Sequence, residues 1–297
     1  MTLNQTPSTA EAIAYGAVTI VNAIPAGKGA ALGINLWTKA KVELTDKPGV
    51  YDVNIKSEPW EDTRLSEKAV EKTLQHLRLH RKYGAKVTTE STIPIARGLK
   101  SSSAAANAIV TATAAAAGRK IPKMKIVELG VEAAIEAGVT ITGALDDASA
   151  SFYGGIVLTD NLKRRIVKRM KVKERIAVLL HIPPHKRYTK NIDLQKMKAI
   201  AHISEKAFEE AAKGNIWTAM TINGLGCAAA LGEDASVIVE ALKAGALAAG
   251  ISGTGPALSV IVKEERAKEV SEILERIQGK VIQTSVNHKE AGVVKDW

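Results

Sequence analysis

The stretch Pro94-Ile95-Ala96-Arg97-Gly98-Leu99-Lys100-Ser101-Ser102-Ser103-Ala104 joins a segment of strand character, Lys86 to Ile93, to a long alanine-rich helix predicted over Ser102 to Ala117. A helix start leaves its first backbone N–H groups unpaired and carries a partial positive charge, so a glycine-containing loop that feeds one forms an anion site. The three serines add hydroxyls suited to phosphate oxygens or a magnesium ion. Ala104, Ala105, Ala106 and Ala108 leave no bulk to obstruct a ligand lying across the first turns. An ordinary serine cap on a buried helix uses the same letters, so the reading of this loop depends on what surrounds it.

Outward from the loop, segments rich in Val, Ile and Thr lie at Ala17 to Ile24, Leu36 to Leu44 and Val50 to Ile55. A helix spans Thr63 to Tyr83, with Leu65, Ala69, Leu74 and Leu77 at helical spacing and Gly84 as its stop. Helices at Lys123 to Ala137 and Asp146 to Ser151 precede a strand from Gly155 to Thr159. The second half restarts with strands at Arg165 to Arg169 and Arg175 to Ile182, then helices at Ile192 to Lys213, Ile216 to Leu231 and Ser236 to Ala248. It closes with a strand at Ala257 to Lys263, a helix at Glu264 to Ile277 and a strand at Val281 to Ser285. Strand and helix do not alternate regularly, which disfavours Rossmann and TIM arrangements and predicts an α+β fold of two units sharing a cleft, divided near residue 160 into 1–160 and 161–297.

Composition narrows the function classes. A chain of 297 residues with 46% hydrophobic and 24% charged residues matches folded, water-soluble proteins rather than disordered or membrane classes. Aromatic residues are 4%, which disfavours base-stacking nucleic-acid readers. The net charge of +10 favours anionic partners without choosing among them. One cysteine, Cys227, fits a reducing compartment, so the cytoplasm is expected. Met1 to Ala14 lacks the basic and apolar regions of a leader, and the uncharged run Ser101 to Gly118 is too weakly apolar for a bilayer span and reads as a buried helix. The Walker A pattern occurs nowhere, since Gly27-Lys28 is followed by Gly29 and Gly98 by Leu99; Gly27-Lys-Gly29-Ala-Ala-Leu-Gly33 misses the dinucleotide spacing by one residue.

Pro94 to Ala104 resembles the signature loop of the GHMP kinases, the superfamily of galactokinase, homoserine kinase, mevalonate kinase and phosphomevalonate kinase, which reads approximately P-x-x-x-G-L-G-S-S-[AS]-A. Two further motifs stand in the family's order: Ile24-Pro25-Ala26-Gly27-Lys28 with Gly33, and Gly250-Ile251-Ser252-Gly253-Thr254-Gly255-Pro256. The resemblance covers essentially the whole chain. Within the superfamily the archaeal-type shikimate kinases look most similar, through Gly98-Leu99-Lys100-Ser101-Ser102-Ser103-Ala104, Asp146-Asp147-Ala148-Ser149-Ala150-Ser151 and length. Lys100 replaces the usual third-position glycine.

The resemblance implies an N-terminal domain like domain 2 of ribosomal protein S5, a ferredoxin-like C-terminal domain and an active site in the cleft between them. It implies transfer of the ATP γ-phosphoryl group to a small-molecule hydroxyl with Mg²⁺, shikimate being the expected acceptor and homoserine or mevalonate the alternatives. Pro94 to Ala104 would bind ATP, with Ser102 and Glu136 as magnesium ligands. The catalytic aspartate is Asp147 by ungapped counting back from Gly154-Gly155, or Asp146 by counting forward from Gly143, and the choice stays open. Lys28 would contact the transferring phosphoryl group or tune that aspartate. Ser252, Gly253, Thr254 and Gly255 approach the phosphates or acceptor, and Arg97 is a candidate for the acceptor's carboxylate.

Two other features are weighed against this reading. The basic run Lys163, Arg164, Arg165, Lys168, Arg169, Lys171 and Lys173 suits a nucleic acid or an anionic surface, but without interleaved aromatics it reads as a solvated hairpin face. His76 with His80, and His181 with His185, lack further ligands for zinc and read as exposed histidines. Neither nucleic acid nor membrane is expected as a partner; a non-catalytic anion or nucleic-acid binder is the alternative from a different class.

Overall fold

The computed structural model describes residues 8–294, and of Lys190 the backbone alone. The reading of Met1 to Ala14 as carrying no leader falls, for residues 1–7, outside the described residues.

Among the described residues the first of two sheets has seven strands. β1 (Thr9–Val21) and β2 (Lys28–Thr45) form a long antiparallel hairpin. Along its other edge β2 meets two strands in succession, β5 (Ile156–Asp160) beside residues 28–32 and β4 (Gly84–Ser91) beside residues 38–45. β3 (Tyr51–Ile55) adds parallel to β4, β6 (Arg165–Met170) antiparallel to β5, and β11 (Gly292–Val293) antiparallel to β1. The sequence of β2 explains its double duty. From Thr38 to Leu44 it alternates, with Thr38, Ala40, Val42 and Leu44 buried against the helices and Lys41 and Glu43 exposed. From Gly29 to Ile34 every residue is small or aliphatic and buried. The near-miss dinucleotide motif is thus a strand whose glycines admit neighbours, since a Cβ on Gly33 would stand 3.0 Å from Gly154 Cα.

Packed on this sheet and on one another are the helices α1 (Arg64–His76), α2 (Ser101–Ala116), α3 (Lys123–Glu136) and α4 (Leu145–Tyr153). α2 packs on β1, β2, α1, α3 and α4 at once and is buried along almost its whole length, which its alanines allow by keeping neighbouring backbones close.

The second sheet is antiparallel, in the order β10 (Lys280–Ser285), β7 (Ile176–Ile182), β9 (Leu258–Lys263), β8 (Ala248–Ile251). Around it stand α5 (Leu194–Ala199), α6 (Ala201–Lys213), α7 (Ile216–Leu231), α8 (Ser236–Lys243) and α9 (Ala267–Leu274). α7 joins the two units, packing on both β8 and β1. A Cβ on Gly224 would lie 2.4 Å from Gly250 Cα, and Asn223 Oδ1 accepts the Asn22 N–H at 2.9 Å.

The α+β architecture agrees with the sequence reading, and several boundaries move. The helix expected to reach Tyr83 ends at His76, and Arg78 turns left-handed at φ +59°. The helix expected over Ile192 to Lys213 starts at Leu194, where Asp193 caps it by accepting from the N–H groups of Gln195 and Lys196, and is interrupted at Ile200, whose backbone (φ −96°, ψ +17°) leaves helical geometry. Strand pairing carries the first sheet past residue 160 to Met170 and brings residues 292–293 back to it, so the second sheet begins only at Ile176.

Candidate active site

A cleft of about 500 Å³ opens between the two units. The loop after β4 builds one wall. Ala96 (φ +54°), Gly98 (φ +80°) and Lys100 (φ +64°) each take left-handed backbone, which curls the chain and sets Ser101, Ser102 and Ser103 at the cleft wall as the first turn of α2. Glycine is required at 98, where a Cβ would stand 2.0 Å from the Ser252 carbonyl oxygen. At Lys100 the same conformation costs a non-glycine residue about 1 kcal/mol. Of the predicted nucleotide loop, Ile95, Ala96, Gly98 and Lys100 to Ser103 line the cleft, while Leu99 and Ala104 are core residues.

The turn between β8 and β9, from the second unit, ties this loop to Thr19 on β1 and to Asn22 just beyond it. Ser252 Oγ donates to the Gly98 carbonyl at 2.7 Å and accepts the Thr19 N–H at 3.2 Å. Gly253 N–H donates to Thr19 Oγ1 at 2.8 Å, and Asn22 Nδ2 donates to the Gly253 carbonyl at 2.8 Å. Gly253 and Thr254 line the cleft; Ser252 is fully buried and holds the loop from behind.

Opposite, left-handed Gly143 and Ala144 launch α4, whose first turn carries both aspartates. They occupy different environments. Asp146 is buried, accepts a 2.9 Å hydrogen bond from Asn161 Nδ2, and packs so tightly on β2 that a Cβ on Gly29 would come within 2.3 Å of its Oδ2. Burial first, then the negative charge of Asp147, pushes the Asp146 carboxyl up to about 7, against the pull of Lys100 and Asn161. Asp147 is the more open of the pair, with its side chain 16% exposed and Oδ1 3.0 Å from the Lys100 ammonium.

Segment 183–191 of the second unit roofs the cleft. Lys186 pairs with Glu58 and Glu61, and Tyr188 donates its hydroxyl to Glu61 at 3.1 Å. Arg187, at the cleft wall, lies 2.6 Å from Glu233 and donates to the Thr254 carbonyl at 3.3 Å. Trp60, 90% exposed, stands at the same opening.

Besides Leu99, Ala104 and Ser252, five predicted site residues do not line the cleft: Pro94 and Gly255, which adjoin lining residues in the chain, and Lys28, Arg97 and Glu136. Lys28 is exposed at the start of β2, its ammonium 5.8 Å above the centroid of the Phe208 ring. Arg97 donates from Nη2 to the Pro184 carbonyl at 2.9 Å and does not line the cleft. Glu136 is exposed at the end of α3, paired with Lys72 and 3.9 Å from Lys68. Arg187 and Asn161 were not singled out from sequence; Arg187 sits in a His-Lys-Arg tripeptide with no motif spacing to the loop. The basic run on β6 is exposed as expected, whereas His181 is buried. Among the described residues no cluster of three potential metal-ligating side chains occurs and no helix is long and apolar enough to cross a membrane.

Residues 64–155 match the family profile described as GHMP kinases N terminal domain, and residues 197–280 match GHMP kinases C terminal. Over 282 residues the chain is 45% identical to the shikimate kinase of Methanosarcina mazei, covering 94% of this chain and 95% of that one. The chain belongs to the GHMP kinases.

The shikimate kinase of Pyrococcus furiosus is 41% identical to this kinase over 255 residues, covering 86% and 92% of the two chains. Among solved structures, homoserine kinase from Cytophaga hutchinsonii superposes with a TM-score of 0.74 at 18% identity, covering 99% and 100% of the two chains. Mevalonate kinase from Methanococcus jannaschii gives 0.74 at 16% identity, covering 96% and 99%. At such identities the structures establish the shared fold, and the kinase chemistry of this chain rests on the family and on its own cleft. The family's loop places glycine where this kinase has Lys100, and the left-handed backbone there explains that preference.

Proposed function

We propose that this kinase transfers the γ-phosphoryl group of ATP to the 3-hydroxyl of shikimate, giving shikimate 3-phosphate and ADP. The observation that carries the reading is the Asp147 carboxylate, 3.0 Å from Lys100 and set in the cleft that the first turn of α2 also lines. A base and an anion site in one cleft suit phosphoryl transfer to an alcohol, where positioning and charge neutralisation supply most of the acceleration. The similarity to shikimate kinases over nearly the whole chain supports the choice of acceptor.

The residues divide as follows. Gly98 and the N–H groups and hydroxyls of Ser101 to Ser103 take the ATP phosphates. Magnesium prefers oxygen ligands and keeps several waters, so Ser102 Oγ beside phosphate oxygens fits it, while Glu136 is held away by Lys72. When bound, the ion neutralises phosphate charge. Asp147 accepts the proton of the attacking hydroxyl. Arg187, the cleft arginine from the second unit, suits a carboxylate on the acceptor better than Arg97. The reading takes a cytoplasmic enzyme acting on a small molecule rather than on nucleic acid or a membrane, in line with the single cysteine Cys227.

ADP release with MgATP, measured against shikimate, homoserine, mevalonate and galactose in turn, tests the reading. Turnover with shikimate, lost in Asp147→Asn, is expected. Turnover with another alcohol alone would keep the site and replace the acceptor.

A further inference from the structure

We propose that Lys100, and not Lys28, supplies the fixed positive charge of the reaction centre, orienting the Asp147 carboxylate and facing the phosphoryl group during transfer. The inference rests on the kinase reading above and concerns how its site works.

Three unfavourable features meet at this one residue. Its backbone is left-handed at φ +64°, a conformation that glycine adopts freely and lysine does not. Its side chain is only 6% exposed, so the ammonium has lost most of its access to water. It also stands at the N-terminus of α2, the end of a helix that disfavours a cation. Glycine, the residue of the family's loop at this point, removes all three. Strain held at a cleft residue is retained where the surrounding structure enforces it and function uses it.

The surroundings say what the charge faces. The ammonium is 3.0 Å from Asp147 Oδ1, with Asp146 behind that carboxylate, and a Cβ on Gly253 would lie 2.8 Å from Nζ. It therefore occupies the gap between the base and the turn that clamps the phosphate loop. An anionic base close to an anionic phosphoryl group repels it, and a cation between them offsets that repulsion and fixes the carboxylate for the incoming hydroxyl. Lys28, which the Gly27-Lys28 motif nominates for this work, is exposed over Phe208 and lines no part of the cleft.

In the step itself the acceptor oxygen forms a bond to the γ-phosphorus while the bond from that phosphorus to the β,γ-bridging oxygen breaks. ADP leaves with the electron pair. The hydroxyl proton passes to Asp147 and then to solvent.

The test uses the full chain with Lys100→Gly, Lys100→Cys and Lys28→Met, using shikimate as acceptor. Lys100→Gly should melt no lower than the parent, bind MgADP within about threefold of it, and turn over at least about 100-fold more slowly. Alkylating Lys100→Cys with 2-bromoethylamine rebuilds a side chain ending in an amine at the same length, and turnover should rise at least about tenfold; neutral alkylation with iodoacetamide should not raise it. Cys227 does not interfere, being buried with its thiol pushed up to about 12. Turnover of Lys100→Gly within about threefold of the parent overturns the inference, as does an equal loss in Lys28→Met. Complete aminoethylation, verified by mass, without any gain also overturns it. A parent chain that phosphorylates none of the four alcohols overturns the kinase reading itself, whereas an active parent with an active Lys100→Gly overturns the assignment of Lys100 alone.

Discussion

Gly98 and Ser252 interlock, the Ser252 hydroxyl donating to the Gly98 carbonyl at 2.7 Å and the Ser252 carbonyl filling the space where a Gly98 side chain would begin. The phosphate loop of one unit is thereby seated on a turn of the other. Gly98→Ala combines a left-handed φ of +80° with a 2.0 Å collision against backbone and should cost more than about 2 kcal/mol of stability. Gly118→Ala is the matched control: its φ is +63° but nothing lies within 4 Å of the added Cβ, so only about 1 kcal/mol of conformational cost applies. Urea unfolding of the two variants separates the terms, and equal losses would show that the Ser252 contact is soft.

The two adjacent aspartates should behave differently. Asp147→Asn is expected to lower kcat by roughly 10²- to 10⁴-fold with little change in nucleotide binding. Asp146 has a folded-state pKa of about 7, above its ordinary 3.8. The folded protein therefore holds a proton that the unfolded chain has released, and stability falls as pH rises from about 4 to about 7, then levels off. Asp146→Asn removes the titrating group and should flatten that slope in melting curves taken across the window. A slope that persists in Asp146→Asn belongs to another group.

Glu136 is committed to Lys72 on α1, so Glu136→Ala should leave the magnesium dependence of turnover unchanged and cost under about 1 kcal/mol, the scale of an exposed ion pair. Ser102→Ala should raise the magnesium concentration needed for half-maximal rate. A shift in Glu136→Ala equal to that in Ser102→Ala would return Glu136 to the metal site.

Arg187→Met should raise the KM for shikimate about 10- to 100-fold while the KM for ATP stays near its parent value, the loss of one charge-assisted contact. Arg97→Ala, which removes a hydrogen bond to the Pro184 carbonyl, should leave the shikimate KM within about threefold. The reverse pattern in steady-state kinetics would restore Arg97 as the acceptor's partner.

The sequence located what local chemistry determines. The strand-loop-helix junction at 94–104 was legible because glycine and three serines before an alanine run leave few alternatives, and α7 runs from Ile216 to Leu231 as its periodicity predicts. The aspartate pair was legible as a pair, but the different surroundings of its two members were not, since those of Asp146 depend on Gly29 and Asn161, which lie on other elements. Lys28 and Glu136 do not line the cleft, because position along an element does not fix what the opposite element presents, and each meets a partner elsewhere, Phe208 for Lys28 and Lys72 for Glu136. β8 escaped notice for a simpler reason: Ala248-Ala249-Gly250-Ile251 has little β-branched content, and its strand character comes from pairing with β9.

Strand β11 is short, yet Gly292 and Val293 lie on β1, the first strand among the described residues. On the ribosome this sheet stays one strand short until the whole second unit has emerged, so the hairpin β1–β2 must wait, with an edge open, for its last partner. A nascent chain stalled before residue 290 would hold every cleft residue and still lack the closure of its first sheet. The first structural layer therefore closes only after the second unit has been made.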